Sequence, residues 1–255
     1  PTLPYGGFER RERMLKEYSP LFPHFHFDAG ELLLKGFSTE SQRNASDRAL
    51  VIAELSKQLN VDVWTPGPSD LQAVGLETLI QLDGPKRISA TWVNTSGEWL
   101  FEPTAVVESE GIKIGVIGLS APVLDPLMQS SISFLDPNEA VVKALRLLPE
   151  DLDLIVALGS INDDKIQTIQ SQHPEISAYL TTRGASYDTP QADGQMSAII
   201  EAPERGRYVQ QIYIRLGSDA STPLYNPIKD QYWRDLIVKR QRDIVDQTSF
   251  EEPQT

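Results

Sequence analysis

The sequence predicts an α/β fold: a two-layer β-sandwich flanked by helices, in a four-layer αββα order. Three observations predict it. Short β-type runs alternate with amphipathic helical runs twice along the chain, and β-hairpin patterns are appended to them. Two of the runs, Gly111–Leu119 and Leu154–Leu158, are almost continuously apolar or small, as in strands covered on both faces. The length of 255 residues, 40% of them hydrophobic, suffices for one large core, so residues 1–222 read as one domain and 223–255 as a helical extension and tail.

From the amino terminus, Gly6-Gly7 enters a charged helix over Phe8–Lys16, which stops near Ser19-Pro20 because proline disfavours helix before it. The run Phe25–Gly36 then reads as a strand ending in a glycine turn, with Asp28 and Glu31 projecting past its end. Thr39-Glu40-Ser41-Gln42 has the form of a capping box, and Ala45, Ala49, Ile52, Leu55 and Leu59 follow at helical spacing to Asn60. Val61–Trp64 is a strand and Thr65–Pro68 a loop, after which Ser69-Asp70 opens a helix through Leu79. Ile88–Asn94 is a strand, and Glu98–Phe101 and Thr104–Glu108 read as antiparallel additions beside it. The second half repeats the scheme. Gly111–Leu119 is a strand, Glu139–Leu148 a helix, Leu154–Leu158 a strand, Asp163–Gln172 a helix and Ile176–Leu180 a strand. A polar loop, Thr181–Gln195, leads to a hairpin of Ser197–Ala202 and Tyr208–Leu216. Asn226-Pro227 starts a last helix, whose apolar face includes Tyr232 and Trp233.

Composition excludes several function classes. A formal net charge of −13 argues against nucleic acid and anionic membrane surfaces, which are held by clustered Lys and Arg. With no cysteine there is no disulfide, thiolate nucleophile or Cys-ligated zinc. No run reaches the roughly 18 apolar residues of a transmembrane segment. The start, Pro1-Thr2-Leu3-Pro4, reads as a processed or trimmed terminus that leaves room for an upstream strand. Ser160 lacks the Gly-x-Ser-x-Gly elbow of a serine nucleophile, and Gly115–Gly118 lacks the third glycine of a dinucleotide loop.

The order of elements, with its loop residues, resembles the 5'-nucleotidase-like branch of the calcineurin-type metallophosphoesterases. Phe27-Asp28-Ala29-Gly30-Glu31 is similar to that family's strand ending in Asp-Ala-Gly-Asp, and Val61–Gly75 to its Tyr-Asp-Ala segment running into Gly-Asn-His-Glu. Gly111–Ser120 is similar to its Gly-Val-Lys-Val-Gly-Val-Ile-Gly-Leu strand, and Ser197–Leu216 to its closing hairpin. The resemblance implies a site for two divalent metals that activate water for attack on phosphorus. The departures fall on the ligands. Glu31 stands at the metal-bridging Asp, Pro68-Ser69-Asp70 at Asn-His-Glu, Gly159-Ser160 at a His, and Thr182–Ala185, with Arg183, at Gly-His-x-His. None of His24, His26 and His173 falls on a ligand position.

The resulting expectation is a catalytically degenerate member with no catalytic residue and no cofactor, serving as a binding or structural module for a protein partner. Its vestigial rim is Asp28, Glu31, Ser69, Asp70, Ser160 and Arg183, with Arg183 paired to Glu31 or Asp70 where metals once sat. The alternative is a phosphohydrolase acting on nucleotides or other small phosphate esters, with one or two ions such as Mn²⁺ or Zn²⁺ on Asp28, Glu31, Asp70 and a ligand upstream of Pro1. Asp70 has a further role open to it, since Ser69-Asp70 falls where a helix start needs amide caps. Trp64, Trp92, Trp99 and Tyr187 are either core and rim aromatics or a nucleobase-stacking cleft. Exported relatives imply a periplasmic or cell-surface location, and the trimmed start and acidic surface permit a place in a larger assembly.

Overall fold

A computed structural model describes residues 7–18, 23–33, 44–125, 129, 131–161, 163–182 and 198–201, together with 212, 214 and 216. The Thr39–Gln42 capping box, most of the closing hairpin, Arg183, Tyr187, the helix at 226 and the boundary at 222/223 lie outside those residues.

The first half holds α1 (Phe8–Tyr18), β1 (Phe27–Asp28), α2 (Ala45–Gln58), β2 (Val63–Trp64), α3 (Pro68–Val74), α4 (Leu76–Gln81), β3 (Lys86–Arg87) and β4 (Trp92–Val93). Strands β1, β2 and β3 form a parallel sheet in that order, with Asp28 opposite Trp64 and Trp64 opposite Arg87. These strands are shorter than the apolar runs suggest: among the described residues of the Phe25–Gly36 run, Phe27 and Asp28 pair as a strand before Gly30 turns the chain. The helix expected from Ser69 to Leu79 is two helices, because Gly75 takes a φ of 75° between them. Helix α2 buries Ala45, Ala49, Ala53 and Ser56, small side chains that let it approach closely.

The second half holds β5 (Thr104–Ser109), β6 (Ile112–Leu119), β7 (Ser133–Phe134), α5 (Pro137–Leu145), β8 (Leu154–Gly159), α6 (Asp163–Gln172), β9 (Ala178–Thr181) and β10 (Ala198–Glu201). Its five-stranded sheet runs β10-β9-β8-β6-β5, antiparallel between β5 and β6 and parallel elsewhere. A small antiparallel pair joins β4 to β7. The fold is α/β, with mixed sheets flanked by helices, as the alternation predicts.

Two apolar clusters hold these layers. One gathers Leu33, Trp64, Leu71, Leu79 and Trp92; the other gathers Ile117, Leu119, Val141, Ile166, Ile169 and Tyr179. Each fully buried large side chain contributes about 1.5–3 kcal/mol relative to its exposed state. Trp64 and Trp92 are completely buried, and their indole N–H groups donate to Pro85 O and Ala121 O, at 3.3 and 2.8 Å. Both belong to the core, so neither stacks on a nucleobase. Between the sheets, the Thr65 hydroxyl donates to Leu158 O at 2.9 Å, joining β2 to β8 at their carboxyl ends.

Candidate active-site rim

Side chains that follow the carboxyl ends of parallel strands are the usual ligand-facing positions of open α/β sheets. Here β1 delivers Asp28 and Glu31, β2 the loop leading to Asp70, and β8 Ser160. The backbone brings these segments together. Thr65 N–H donates to Asp28 O at 3.2 Å, and a Cβ on Gly30 would lie 2.8 Å from Thr65 O and 3.8 Å from Ser160 Oγ.

The turn after Asp28 is constrained. Asp28 Oδ1 accepts from Gly30 N–H at 3.1 Å, while Gly30 and Glu31 take φ values of 124° and 55°. Such a φ is ordinary for glycine and costly for glutamate, of the order of 1–3 kcal/mol, so the surrounding structure must hold Glu31 there. Gly67 is part of that hold: a Cβ on it would sit 2.7 Å from Glu31 Cγ and 3.3 Å from Glu31 N. Only a residue without a side chain admits Glu31 in this place.

Asp70 is completely buried. Its Oδ1 accepts from Leu33 N–H at 2.7 Å and its Oδ2 from Gly67 N–H at 2.8 Å. The second bond caps the start of α3; the first crosses 37 residues to the β1 loop. Asp70 therefore staples the two loops of the rim. Burial pushes its pKa up to about 7; the two N–H donors oppose the rise, and the charges of Asp28 and Glu31 add to it. Asp28 is also raised, first by burial, against the Gly30 N–H and the charges of Arg11 and His26.

Of the residues expected at the rim, Asp28, Glu31, Asp70 and Ser160 come together. Ser69 is half-buried in the first turn of α3, and Arg183 lies outside the described residues. The Ser160 hydroxyl is buried and has no hydrogen-bond partner among the described residues. His26 turns its ring to Leu59 O at 3.2 Å, His173 pairs with Glu175 at 3.1 Å, and His24 is exposed ahead of β1. A cation whose charge acts on Asp28 is Arg11 of α1, which sequence reasoning missed. Its signal was available in Phe8-x-x-Arg11, an aromatic and an arginine three apart on a helix that follows a glycine turn.

The oxygen donors present are of the type that a hard divalent cation takes. Asp28 and Glu31 offer carboxylate oxygens, and Asp28, Glu31 and Asp70 lie close enough for the charges of the first two to raise the third. A cation relieves that surplus. Among the described residues no group of three His, Cys, Asp or Glu side chains is arranged to hold a metal ion, so the two-ion site implied by the resemblance is not assembled from these residues alone.

No protein-family model matches the sequence, and no curated protein is similar to it in sequence. Solved structures share its fold. The calcineurin-like phosphoesterase YfkN from Bacillus subtilis superposes with a TM-score of 0.62 at 14% identity, covering 78% of this chain and 73% of that one. The sulfate thiohydrolase SoxB from Thermus thermophilus gives 0.60 at 19% identity, over 78% of this chain and 38% of that one. A 5'-nucleotidase precursor from Thermus thermophilus gives 0.56 at 20% identity, over 78% of this chain. This chain spans 43% of that precursor's length. At such identities the likeness is one of fold. It corrects the expectation of a chain without a cofactor: the structures sharing this fold include a calcineurin-like phosphoesterase and a 5'-nucleotidase, enzymes of a class that works with divalent metals. The physical reason is the one just given, a rim of hard anionic donors in need of a cation.

Proposed function

We propose that this chain hydrolyses phosphate esters, nucleotides among them, with a divalent metal ion held against Asp28 and Glu31. The observation that carries the reading is the convergence of Asp28, Glu31, Asp70 and Ser160 at the carboxyl ends of β1, β2 and β8, in a fold shared with phosphoesterases. When bound, the ion supplies Lewis-acid activation of water and of the phosphoryl group. Its hard donors favour Mn²⁺ or Mg²⁺ over softer ions.

The chain's own residues do the positioning. Asp70 fixes the two loops through Leu33 and Gly67, and the contact of Glu31 with Gly67 holds the glutamate in its strained conformation. The Ser160 hydroxyl, buried beside Gly30 with no partner among the described residues, is the group this reading assigns to donate to a phosphoryl oxygen or to the attacking water. In the net reaction the water oxygen bonds to phosphorus and the ester P–O bond breaks. One water proton leaves with the alcohol and the other stays on phosphate.

A second reading keeps the fold and loses turnover: a module that binds a phosphate ester, or a protein partner within a larger assembly. It is favoured by Asp70, which spends both carboxylate oxygens on backbone N–H groups, and by Ser69, which stands where the resemblance has an imidazole. Arg183 joins the rim on the resemblance alone. Export is supported by the fold shared with a nucleotidase precursor; no helix among the described residues is long and apolar enough to cross a membrane.

Turnover of nucleoside monophosphates and an aryl phosphate, with Mn²⁺, Mg²⁺ or Zn²⁺ added to chelator-stripped protein, separates the readings. Hydrolysis restored by Mn²⁺ or Mg²⁺ is the expected result. Phosphate-ester binding with no turnover under any metal favours the second.

A further inference from the structure

Hydrogen bonds fix the carboxyl end of β8 against the β1 loop. Thr65 N–H donates to Asp28 O at 3.2 Å, the Thr65 hydroxyl to Leu158 O at 2.9 Å, and Ser160 N–H to Leu119 O at 3.1 Å. They set Ser160 beside Gly30, where a Cβ on the glycine would lie 3.8 Å from Ser160 Oγ. Neighbouring buried hydroxyls are all bonded: Thr65 as above, Thr91 to Ser120 O at 2.9 Å, and Ser120 to Ser89 Oγ at 2.8 Å. Ser160 is the exception, 1% exposed and with no partner for its hydroxyl among the described residues. A buried hydroxyl left unpaired is costly, so this oxygen calls for a ligand. Bulk water does not reach it, and whatever meets it has shed its own water.

The surroundings say which kind of ligand. Asp28 and Glu31 stand on either side of Gly30, and their charge repels an anion and favours a cation. Asp28 gives Oδ1 to Gly30 N–H at 3.1 Å, so Oδ2 is its oxygen for an ion. Asp70 cannot join without releasing a loop, because Leu33 N–H and Gly67 N–H hold its two oxygens at 2.7 and 2.8 Å. Among the described residues no three His, Cys, Asp or Glu side chains are arranged to hold a metal ion. The oxygen that completes such a set is therefore of another kind. A serine hydroxyl is a hard, neutral oxygen, and beside two carboxylates that already balance a divalent charge it adds no repulsion. It also keeps its proton, which remains available for donation.

We propose that Ser160 is a metal ligand, whose Oγ offers a neutral third oxygen to the divalent ion held against Asp28 and Glu31. The proposal rests on the hydrolase reading for the ion, and on the orphaned hydroxyl beside Gly30 for the ligand. It makes Ser160 a determinant of metal choice, because an all-oxygen set favours Mn²⁺ and Mg²⁺ over softer ions. The opposing account is that Ser160 meets only the substrate or the attacking water.

The test is metal binding to the chelator-stripped full chain without substrate, by titration calorimetry, for wild type, Ser160→Ala and Ser160→Cys, each shown to be folded by its melt. Losing a group that only supports a metal ligand costs about 10–100-fold in affinity, so losing the ligand itself in Ser160→Ala weakens Mn²⁺ binding by roughly tenfold or more. Ser160→Cys exchanges hard oxygen for soft sulfur. It loses Mn²⁺ affinity, gains Cd²⁺ affinity, and on Cd²⁺ addition shows a thiolate-to-metal charge-transfer absorption that wild type lacks. The chain has no cysteine of its own, so that absorption reports position 160 alone. If Ser160→Ala does not fold, Ser160→Cys carries the test. Mn²⁺ affinity unchanged in Ser160→Ala, or no such absorption in Ser160→Cys, overturns the proposal; a fall in turnover of the same Ser160→Ala protein then leaves the hydrolase reading standing, with Ser160 as a donor to substrate. A wild-type chain that binds no Mn²⁺ overturns the proposal as well. Metal binding that depends on Ser160, in a protein with no turnover under any metal, sinks the hydrolase reading and leaves Ser160 as a ligand.

Discussion

Replacing Asp70 should change both the stability of this protein and the way stability responds to pH. In the metal-free chain the carboxyl is completely buried and its pKa is pushed up to about 7, from 3.8 in an unfolded chain. The folded state thus binds this proton more tightly than the unfolded state. The stabilisation is complete below pH 3.8 and is lost as pH rises through about 7, a loss of roughly 4 kcal/mol for a shift of about three pKa units. Asp70→Asn removes that titration, but its amide accepts only one of the two N–H groups and turns a donor toward the other. One unmet buried donor costs about 1–3 kcal/mol. Asp70→Ala leaves both Leu33 N–H and Gly67 N–H unmet and costs roughly 2–6 kcal/mol. Urea denaturation followed by tryptophan fluorescence in chelator, at pH 5 and pH 8, measures all of this, because Trp64 and Trp92 are buried reporters. Asp70→Asn should be less stable than wild type at pH 5, with the gap closed or reversed at pH 8. Comparing the variants isolates Asp70 from exposed carboxylates such as Asp83, Asp136 and Asp151, whose lysine partners shift them the other way. A gap independent of pH, or an Asp70→Ala protein within 0.5 kcal/mol of wild type on the ~1 kcal/mol scale of ordinary substitutions, refutes the staple.

Other outcomes follow from the same geometry. Ser160→Ala should leave stability unchanged or raise it by up to about 1 kcal/mol, since it removes a buried hydroxyl that has no described partner, yet lower turnover of an aryl phosphate. Gly30→Ala should destabilise by about 1–3 kcal/mol in a thermal or urea melt, from the φ of 124° and the approach to Thr65 O together. Gly67→Ala should displace Glu31 and so weaken Mn²⁺ binding in a calorimetric titration by tenfold or more, even in a variant that melts near wild type.

Much of the fold was legible because side-chain partitioning is a local signal. The unbroken apolar run of β6, the three-and-four spacing of α2 and the glycine turn after Asp28 each appear where the periodicity puts them. Strand length was less legible. Phe25–Gly36 has the composition of a long strand, but the Asp28–Gly30 bond and the positive φ values turn the chain away after two paired residues. The break at Gly75 was hidden for a similar reason, since the apolar spacing continues through it.

The rim was legible in its carboxylates and in Ser160, and illegible in what holds them. Asp70 reads locally as a helix cap, which it is toward Gly67, whereas its bond to Leu33 N–H depends on how β1 and β2 pair. The charge of Arg11 acts on Asp28 across 17 positions of sequence, from an element whose own pattern announces only a charged helix. The aromatic residues show the converse: burial of Trp64 and Trp92 comes from layer packing, and no local feature distinguishes a core tryptophan from a stacking one. The expectation of a chain without a cofactor weighted the missing imidazoles above the carboxylates that remain.

The most direct measurement is Mn²⁺-dependent hydrolysis of an aryl phosphate by chelator-stripped wild type, Asp28→Asn and Glu31→Gln, each folded by its melt. The account predicts turnover in wild type that requires the metal and falls at least 100-fold in both variants, about 3 kcal/mol of transition-state stabilisation. Wild type that binds no Mn²⁺ and turns over nothing, or turnover that survives both substitutions, contradicts it.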